Sequence, residues 1–249
     1  TPLLTWNNYD KTLAGLAFYN SPLPAKRFEY TIAPFYGFAS GDLTGLLNLQ
    51  YHAYVNNKWL RRATVELNAK RFNYTYNWPD EYYLTYNKVV PTLRLDLASK
   101  PNGSFYHYLQ YRAIILNEDR PQFSTDSLTR GDYLGNENLA SLIHEVTYWG
   151  GNRRAINPWS YRVALEQQSY DDFFGTEQSY LKLSAECKGA YTYKRGRSVN
   201  VRLFAGGFLN NTRDNSGNFY TNASNRCTRG LLALTYHAYN DDQYDDVFP

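Results

Sequence analysis

The residue pair His144-Glu145 comes closest to a catalytic motif in this sequence. Zinc peptidases carry the pattern HExxH on a helix, so that two histidines four positions apart bind one metal ion. Here the segment continues Val-Thr-Tyr, the second histidine is missing, and the surrounding pattern is typical of a strand. The remaining histidines, His52, His107 and His237, have no cysteine, histidine or aspartate at ligand spacing. The sequence therefore predicts no metal site and no cofactor.

Nucleophilic chemistry has no sequence signature either. The GxSxG turn that exposes the catalytic serine of many hydrolases does not occur. The acidic run Asp241, Asp242, Asp245 and Asp246 supplies oxygen atoms of the kind that bind Ca²⁺, but such a run is more often a solvated loop. We therefore assign no catalytic, cofactor-binding or metal-binding residue, and we leave open whether the chain is an enzyme.

Charged residues recur on the polar faces of segments that alternate between polar and apolar positions. We interpret them as opposite charges lining a wet interior, each well solvated. Carboxylates with a catalytic role would have to be found among them. The residues are Glu66, Lys70, Arg94, Asp96, Arg112, Glu145, Arg162, Glu166, Lys182, Glu186, Lys188 and Arg202.

The composition narrows the class of protein. The chain has 249 residues, a net charge of +3, 25 tyrosines and 17% aromatic residues, which argues against disorder. Lys and Arg are spread along the chain, so we expect no nucleic-acid partner. Mean hydropathy is −0.60 and no run approaches 18 apolar residues, which excludes a helical membrane protein. Two cysteines, Cys187 and Cys227, allow either one disulfide or two unpaired thiols.

Alternation with a period of two runs through most of the chain and predicts an all-β antiparallel fold. In the segment 181–193, Leu, Ala, Cys, Gly and Tyr alternate with Lys, Ser, Glu and Thr. The pattern predicts about eleven strands, and we expect 12 or more in the intact protein. The predicted strands are 11–19, 28–38, 43–55, 59–73, 83–97, 104–116, 139–150, 160–170, 178–193, 198–209 and 228–240.

The length of these segments favours a transmembrane β-barrel. Most span 10 to 15 residues, whereas strands of soluble domains cluster near ~5–6 and a membrane strand needs roughly 9–11. Phe28, Tyr30, Tyr36 and Phe38 share one strand face, as in an aromatic girdle at a membrane interface. Cross-strand aromatic pairs in a soluble sandwich are the alternative interpretation.

The connections predict an orientation and an incomplete barrel. Long connections at 117–138 and 210–227 alternate with short ones such as Lys194–Gly196, matching extracellular loops and periplasmic turns. On this count the first strand begins outside and at least one strand is missing from the sequence. Pro34 and Pro91 lie within predicted strands, where we expect bulges or kinks.

Several phrases, in this order and over nearly the whole chain, resemble the C-terminal region of aminopeptidase-N-type proteins from Bacteroidetes. In that family a zinc-peptidase-like domain precedes a β-rich segment. The resemblance implies that the zinc ligands and the catalytic glutamate lie upstream, so no catalytic residue carries over to this chain. The phrases are Tyr9-Asp10-Lys11 with Leu13-Ala14-Gly15-Leu16, Ala33-Pro34-Phe35-Tyr36-Gly37-Phe38, Tyr86-Asn87-Lys88-Val89-Val90-Pro91, Ile156-Asn157-Pro158 and Arg202-Leu203-Phe204-Ala205-Gly206-Gly207-Phe208-Leu209.

Three hypotheses follow. The favoured one is that residues 1–249 form a single barrel domain of a longer chain in the bacterial outer membrane, an anchor or pore for a larger peptidase-like protein. Its partners would be outer-membrane lipid and other outer-membrane or periplasmic proteins. The second hypothesis is a soluble tyrosine-rich β-sandwich that binds glycans or proteins. The third is a lipid hydrolase whose serine, histidine and carboxylate come together across barrel strands.

Overall fold

The described part of the chain forms one antiparallel β-sheet. A computed structural model describes residues 1–20, 26–55, 57–77, 82–99, 103–124, 132–152, 154–171 and 177–211. Over these residues it contains twelve strands and no helix. The described part of the chain accordingly has no helix long and apolar enough to cross a membrane.

The strands follow one another across the sheet in chain order. The hydrogen-bonded order is β1-β2-β4-β5-β6-β7-β8-β9-β10-β11-β12, and the short β3 also pairs with β4. Within the described residues β1 and β12 are the two edges. The strands are β1 (Pro2–Asn7), β2 (Lys11–Leu16), β3 (Phe18–Tyr19), β4 (Phe28–Gly37), β5 (Leu43–Tyr54), β6 (Leu60–Asn77), β7 (Tyr82–Leu97), β8 (Phe105–Phe123), β9 (Tyr133–Asn152), β10 (Trp159–Asp171), β11 (Glu177–Lys194) and β12 (Arg197–Asn211).

The all-β antiparallel prediction is confirmed, and every predicted strand that falls in the described part of the chain is present. The predicted strand at 228–240 lies outside the described residues. The predicted connection 117–138 is wrong, because β8 continues to Phe123 and β9 already begins at Tyr133. The polar sequence of this hairpin has little alternation to reveal a strand.

The first strand, β1, was missed by sequence reasoning and changes the expected direction of the sheet. Its sequence PLLTWN has adjacent leucines instead of a clear alternation. Because β1 pairs with β2 from Pro2↔Leu16 to Asn7↔Lys11, a strand precedes the one that we took as first. The inference that the first strand begins outside therefore loses its basis.

The connections alternate between the two ends of the sheet. Those after β3, β5, β7, β9 and β11 lie at one end, which we call the Gly196 end after the tight Arg195-Gly196 turn. Those after β1, β4, β6, β8 and β10 lie at the other, which we call the Gly41 end. Both glycines have positive φ, +75° at Gly196 and +73° at Gly41, a conformation that turns assign to glycine because it has no Cβ.

The two strand prolines interrupt hydrogen bonding without shifting the register, so of the expected bulges or kinks the bulges are absent, and the kinks stay a prediction. The β2–β4 pairs end at Gly15↔Phe35, and the β3–β4 pairs resume in the same register at Phe18↔Ile32. Pro34 lies between them. The β7–β8 pairs likewise omit Pro91 and continue in register. Proline has no N–H to donate, and a local gap in the ladder accommodates this loss.

Candidate functional site

The sheet has one apolar face, which we call the outer face, and it is exposed. Side chains on this face form rows that run across the strands, and within a row each residue is paired in register with a residue of the next strand. In the middle of the central row Leu93, Val146 and Leu165 are 40%, 39% and 38% exposed. The row consists of Phe28, Tyr51, Val65, Leu93, Tyr111, Val146, Leu165 and Leu183.

The neighbouring outer rows also lack charge. The row on the Gly196 side consists of Ala53, Ala63, Leu95, Leu109, Tyr148, Val163, Ala185 and Ala205. On the Gly41 side the next row contains the polar register partners His144 and Gln167, and it continues through Leu181 to a third polar residue, Asn210. His144 is stacked on Tyr111 and lies 2.8 Å from its hydroxyl group through Nδ1. These three rows form a band that carries no Asp, Glu, Lys or Arg.

Aromatic side chains border this uncharged band at both ends. At the Gly196 end Phe105, Trp159 and Tyr161 form a cluster, with ring centroids 5.9 Å apart for the first pair and 6.1 Å for the second. At the Gly41 end Tyr36 and Phe38 meet edge to face at 5.6 Å and are 45% and 63% exposed. The aromatic side chains that the sequence predicted to share one face of β4 therefore lie on the solvent-accessible face.

The opposite face, which we call the inner face, carries buried and paired charge. Glu145 on β9 is 2% exposed. Its Oε1 accepts a hydrogen bond from Nε of Arg112 at 3.1 Å, and its Oε2 accepts one from Nη2 of Arg162 at 3.0 Å. Thr147 donates a third hydrogen bond to Oε1 at 3.0 Å. One carboxylate thus connects β8, β9 and β10.

The adjacent strands repeat this arrangement. Glu166 is the register partner of Glu145 and is also 2% exposed, but it has its own cation. Its Oε1 lies 3.0 Å from Nζ of Lys182 and accepts a hydrogen bond from the Tyr180 hydroxyl at 2.6 Å. The two buried carboxylates therefore each have a compensating positive charge, as burial of ions requires.

An arginine held between aromatic rings lies closer to the Gly196 end of the inner face. The guanidinium carbon of Arg94 is 3.9 Å from the centroid of the Tyr108 ring, and Trp149 stacks on Tyr108 with centroids 5.5 Å apart. Arg94 also donates to Asp96 at 2.9 Å and contacts the Tyr106 hydroxyl. Asp96 is 2% exposed and forms a second ion pair, in which its Oδ2 lies 2.6 Å from Nη2 of Arg62.

All twelve charged residues that the alternation assigned to polar faces lie on this inner face, as the strand registers place them. The expectation that each is well solvated is wrong for the carboxylates at their centre. Asp96, Glu145 and Glu166 are 2% exposed and Lys182 is 4% exposed. Sequence spacing could not reveal this burial, because the partners are supplied by neighbouring strands through the register.

The inner face also contains apolar clusters toward the Gly41 end. One joins Leu13, Phe35, Phe72, Tyr86 and Leu116, each at most 3% exposed, with Ala33. A second consists of Val90, Ile114, Ile143 and Tyr180, with Phe208 packed against it. Side chains on one face of a sheet become this buried when the sheet curves and they converge. Toward the Gly41 end the inner face is therefore filled by side chains, with the buried charges Lys88 and Glu118 among them.

A buried polar cluster closes the Gly41 end of the N-terminal half. Asp10 is fully buried, and its carboxylate accepts hydrogen bonds from Nδ2 of Asn7 at 2.8 Å, from Oγ of Ser40 at 2.5 Å and from Nδ2 of Asn73 at 2.6 Å. These donors belong to β1, the β4–β5 turn and β6. We call this arrangement the Asp10 clasp. It is held by amide and hydroxyl donors, which are groups that stabilise a carboxylate without a metal.

No catalytic constellation is assembled by the histidines of the described segments. His144 and Glu145 point to opposite faces, since adjacent residues of a strand do so. His52 lies on the inner face with Thr64 at 3.0 Å, and His107 lies on the outer face with the Tyr148 hydroxyl at 3.0 Å. Within the described ranges no group of three or more His, Cys, Asp or Glu is placed to hold a metal ion. His237 and the acidic run 241–246 lie outside the described residues, as does Cys227.

Comparison with known proteins returns no match to a family model, to a curated protein or to a solved structure.

Proposed function

We propose that this chain is a β-barrel module of the bacterial outer membrane that anchors a larger protein. The observation that supports this proposal is the reversed polarity of the sheet: its apolar face is exposed, whereas the opposite face buries charged side chains such as Glu145, Glu166 and Lys182. A soluble β-protein arranges these faces the other way round, because burial of apolar surface stabilises its fold. Lipid as the surrounding solvent reverses the preference.

From one end of the strands to the other, the outer face has the order of zones that suits a bilayer: an aromatic border, an uncharged middle and a second aromatic border. Its uncharged band across β4 to β12 suits hydrocarbon, where an Arg or Lys costs roughly 2–4 kcal/mol at the midplane of a barrel. The aromatic clusters at both ends of the band suit the two interfaces, where amphipathic rings are favoured. Strands of 12 to 20 residues from β5 to β12 are longer than the roughly 9–11 residues needed to cross.

The inner face favours an anchor over an open pore. The apolar clusters around Phe72 and Ile143 contain residues that are 0–1% exposed, so side chains fill the space toward the Gly41 end. A water-filled channel would leave such positions wet and polar. The buried ion pairs of Asp96, Glu145 and Glu166 connect neighbouring strands instead of lining free solution.

A membrane barrel must have no free strand edge, because unpaired N–H and C=O groups are costly in hydrocarbon. Within the described residues β1 and β12 are edges. The proposal therefore includes closure, either of these two edges on each other or through strands from the rest of the protein. The larger protein that this barrel would anchor is the peptidase-like one implied by the sequence resemblance.

The decisive experiment compares folding with and without lipid. We expect the purified chain to aggregate or stay unfolded in plain buffer and to acquire β-structure in detergent micelles or lipid vesicles, measured by circular dichroism and by heat-dependent gel mobility. A folded monomer in plain buffer would refute the membrane proposal and favour the soluble binding module. Hydrolysis of lipid by the refolded chain, abolished by His107→Ala or His144→Ala, would favour the lipid hydrolase.

A further inference from the structure

The two ends of the sheet differ sharply in charge. Among the described residues, the connections of the Gly196 end carry Lys26, Arg27, Lys58, Arg154 and Arg195 and no Asp or Glu. Those of the Gly41 end carry Asp10, Asp42 and Asp132 and no Lys or Arg. The net charge of +3 does not reveal this separation.

Exposed cations form the rim of the Gly196 end. Within the described residues Lys58, Arg154 and Arg195 are exposed and take part in no ion pair. Arg154 donates to Oγ of Ser104 at 3.0 Å, which ties the β9–β10 connection to the β7–β8 connection and fixes the position of its charge. The positive charge at this end is thus available to a partner outside the chain.

Exposed aromatic residues lie close in sequence to these cations. Trp59, next to Lys58, is 80% exposed, and Trp159 is 45% exposed. Tyr191 and Tyr193, close to the Arg195 turn, are 62% and 58% exposed. Amphipathic rings of this kind are enriched at the headgroup level of a bilayer, and cations just beyond them meet lipid phosphate.

We propose that the Gly196 end binds the anionic phospholipid headgroups of the leaflet that it faces. The cationic rim, formed by Lys58, Arg154 and Arg195, supplies the charge, and the neighbouring aromatic residues set its depth in the interface. The acidic Gly41 end faces the opposite surface, where it avoids repulsion from the same headgroups. This inference depends on the proposed membrane function and identifies the lipid chemistry that the barrel selects.

The test measures which lipids contact the folded chain. The chain is reconstituted in vesicles of phosphatidylcholine, and the association constant of spin-labelled phosphatidylglycerol is measured relative to that of spin-labelled phosphatidylcholine by electron paramagnetic resonance. We expect a preference for phosphatidylglycerol that high salt removes, about fivefold where one cation faces one headgroup. The triple variant Lys58→Glu/Arg154→Glu/Arg195→Glu should lose the preference, and Asp132→Lys/Glu137→Lys, a control at the exposed Gly41 end, should retain it.

The outcomes separate this inference from the proposed function. Absence of motionally restricted lipid of either kind would mean that the chain does not insert, and the membrane function would fail. Restricted lipid without any preference for phosphatidylglycerol would overturn only the headgroup inference. Loss of the preference with inorganic phosphate, but not with chloride of equal ionic strength, would assign the rim to free phosphate. Binding of a labelled oligonucleotide, lost in the triple variant, would assign it to nucleic acid.

Discussion

At the scale of single residues, the buried carboxylates of the inner face are the most consequential groups. Glu145 lies between two guanidinium groups, and its removal leaves Arg112 and Arg162 facing each other without the anion. The sequence reveals that these residues share a face but not that they meet, since the partners are 33 and 17 positions away along the chain. Only the strand register brings them together.

Glu145→Gln should destabilise the refolded chain by about 1–3 kcal/mol. Breaking a fully buried ion pair costs about 3–5 kcal/mol, but the two arginine side chains are 22% and 37% exposed, so water compensates part of the loss. The free energy of unfolding in urea, measured in lipid vesicles, checks this value. Glu137→Gln, an exposed carboxylate on the same strand, should change it by less than about 0.5 kcal/mol. Equal effects of the two variants would contradict the burial of Glu145.

Among the described glycines, Gly15 leaves the least room for a side chain. A Cβ atom there would lie 2.2 Å from the carbonyl oxygen of Pro34 and 2.6 Å from a ring carbon of Phe35. Gly15→Ala should therefore lower the free energy of unfolding by about 1–3 kcal/mol, the range for overpacking. Gly207→Ala is the matched control, since a Cβ at Gly207 meets no atom within 4 Å. If both substitutions are neutral in urea unfolding, the close contact between β2 and β4 is wrong.

At the scale of elements, alternation predicted the strands from β2 to β12 because each has one apolar and one polar face. It failed where that contrast is weak, in β1 with its adjacent leucines and in the polar residues near the tip of the β8–β9 hairpin. The two prolines were placed correctly within strands, but their effect was misjudged. Whether a proline shifts the register depends on the hydrogen bonds that the neighbouring strands form around it. The sequence of a single strand does not reveal those hydrogen bonds.

The Asp10 clasp makes a prediction at this scale, because it joins three elements through one carboxylate. Asp10→Ala removes the acceptor for Asn7, Ser40 and Asn73 and leaves the buried Asn7 amide without it, whereas Asn73 keeps Asp42 as an acceptor at 3.2 Å; the loss should cost about 1–3 kcal/mol. Hydrogen exchange should show that β1 and β2 lose protection first. Asn8→Ala, an exposed neighbour in the same turn, should leave exchange unchanged. Uniform loss of protection over the sheet would argue against a local clasp.

At the scale of the whole molecule, the distribution of polarity between the faces decides which solvent the fold suits. The sequence predicted the two faces through their alternation, because a strand's side chains point alternately to each side. It also led us to interpret the charged face as an interior, but the partners that bury Asp96, Glu145 and Glu166 come from neighbouring strands, so the expected solvation of these carboxylates is wrong. It also concealed the charge difference between the ends, because the basic and acidic connections alternate along the chain.

An arginine on the outer face should therefore be costly in the middle of the band and tolerated at its border. Leu165→Arg places the charge in the central row, where a bilayer imposes roughly 2–4 kcal/mol, whereas Val199→Arg places it beside the Gly196 turn, where the cost is roughly 0–1 kcal/mol. Urea unfolding in vesicles measures both. A soluble sheet with this face in water would tolerate the two substitutions equally well.

The sequential order of the strands has a kinetic consequence. Every strand pairs with its neighbour in the chain, apart from the short interruption at Pro34. Each pairing therefore closes a short loop at a small entropic cost, and hairpins can add one after another as the chain emerges. In the proposed barrel, joining the two edges would be the step that requires distant parts of the protein to meet. We expect that step to be slow compared with hairpin formation, so that an open sheet would precede a closed barrel.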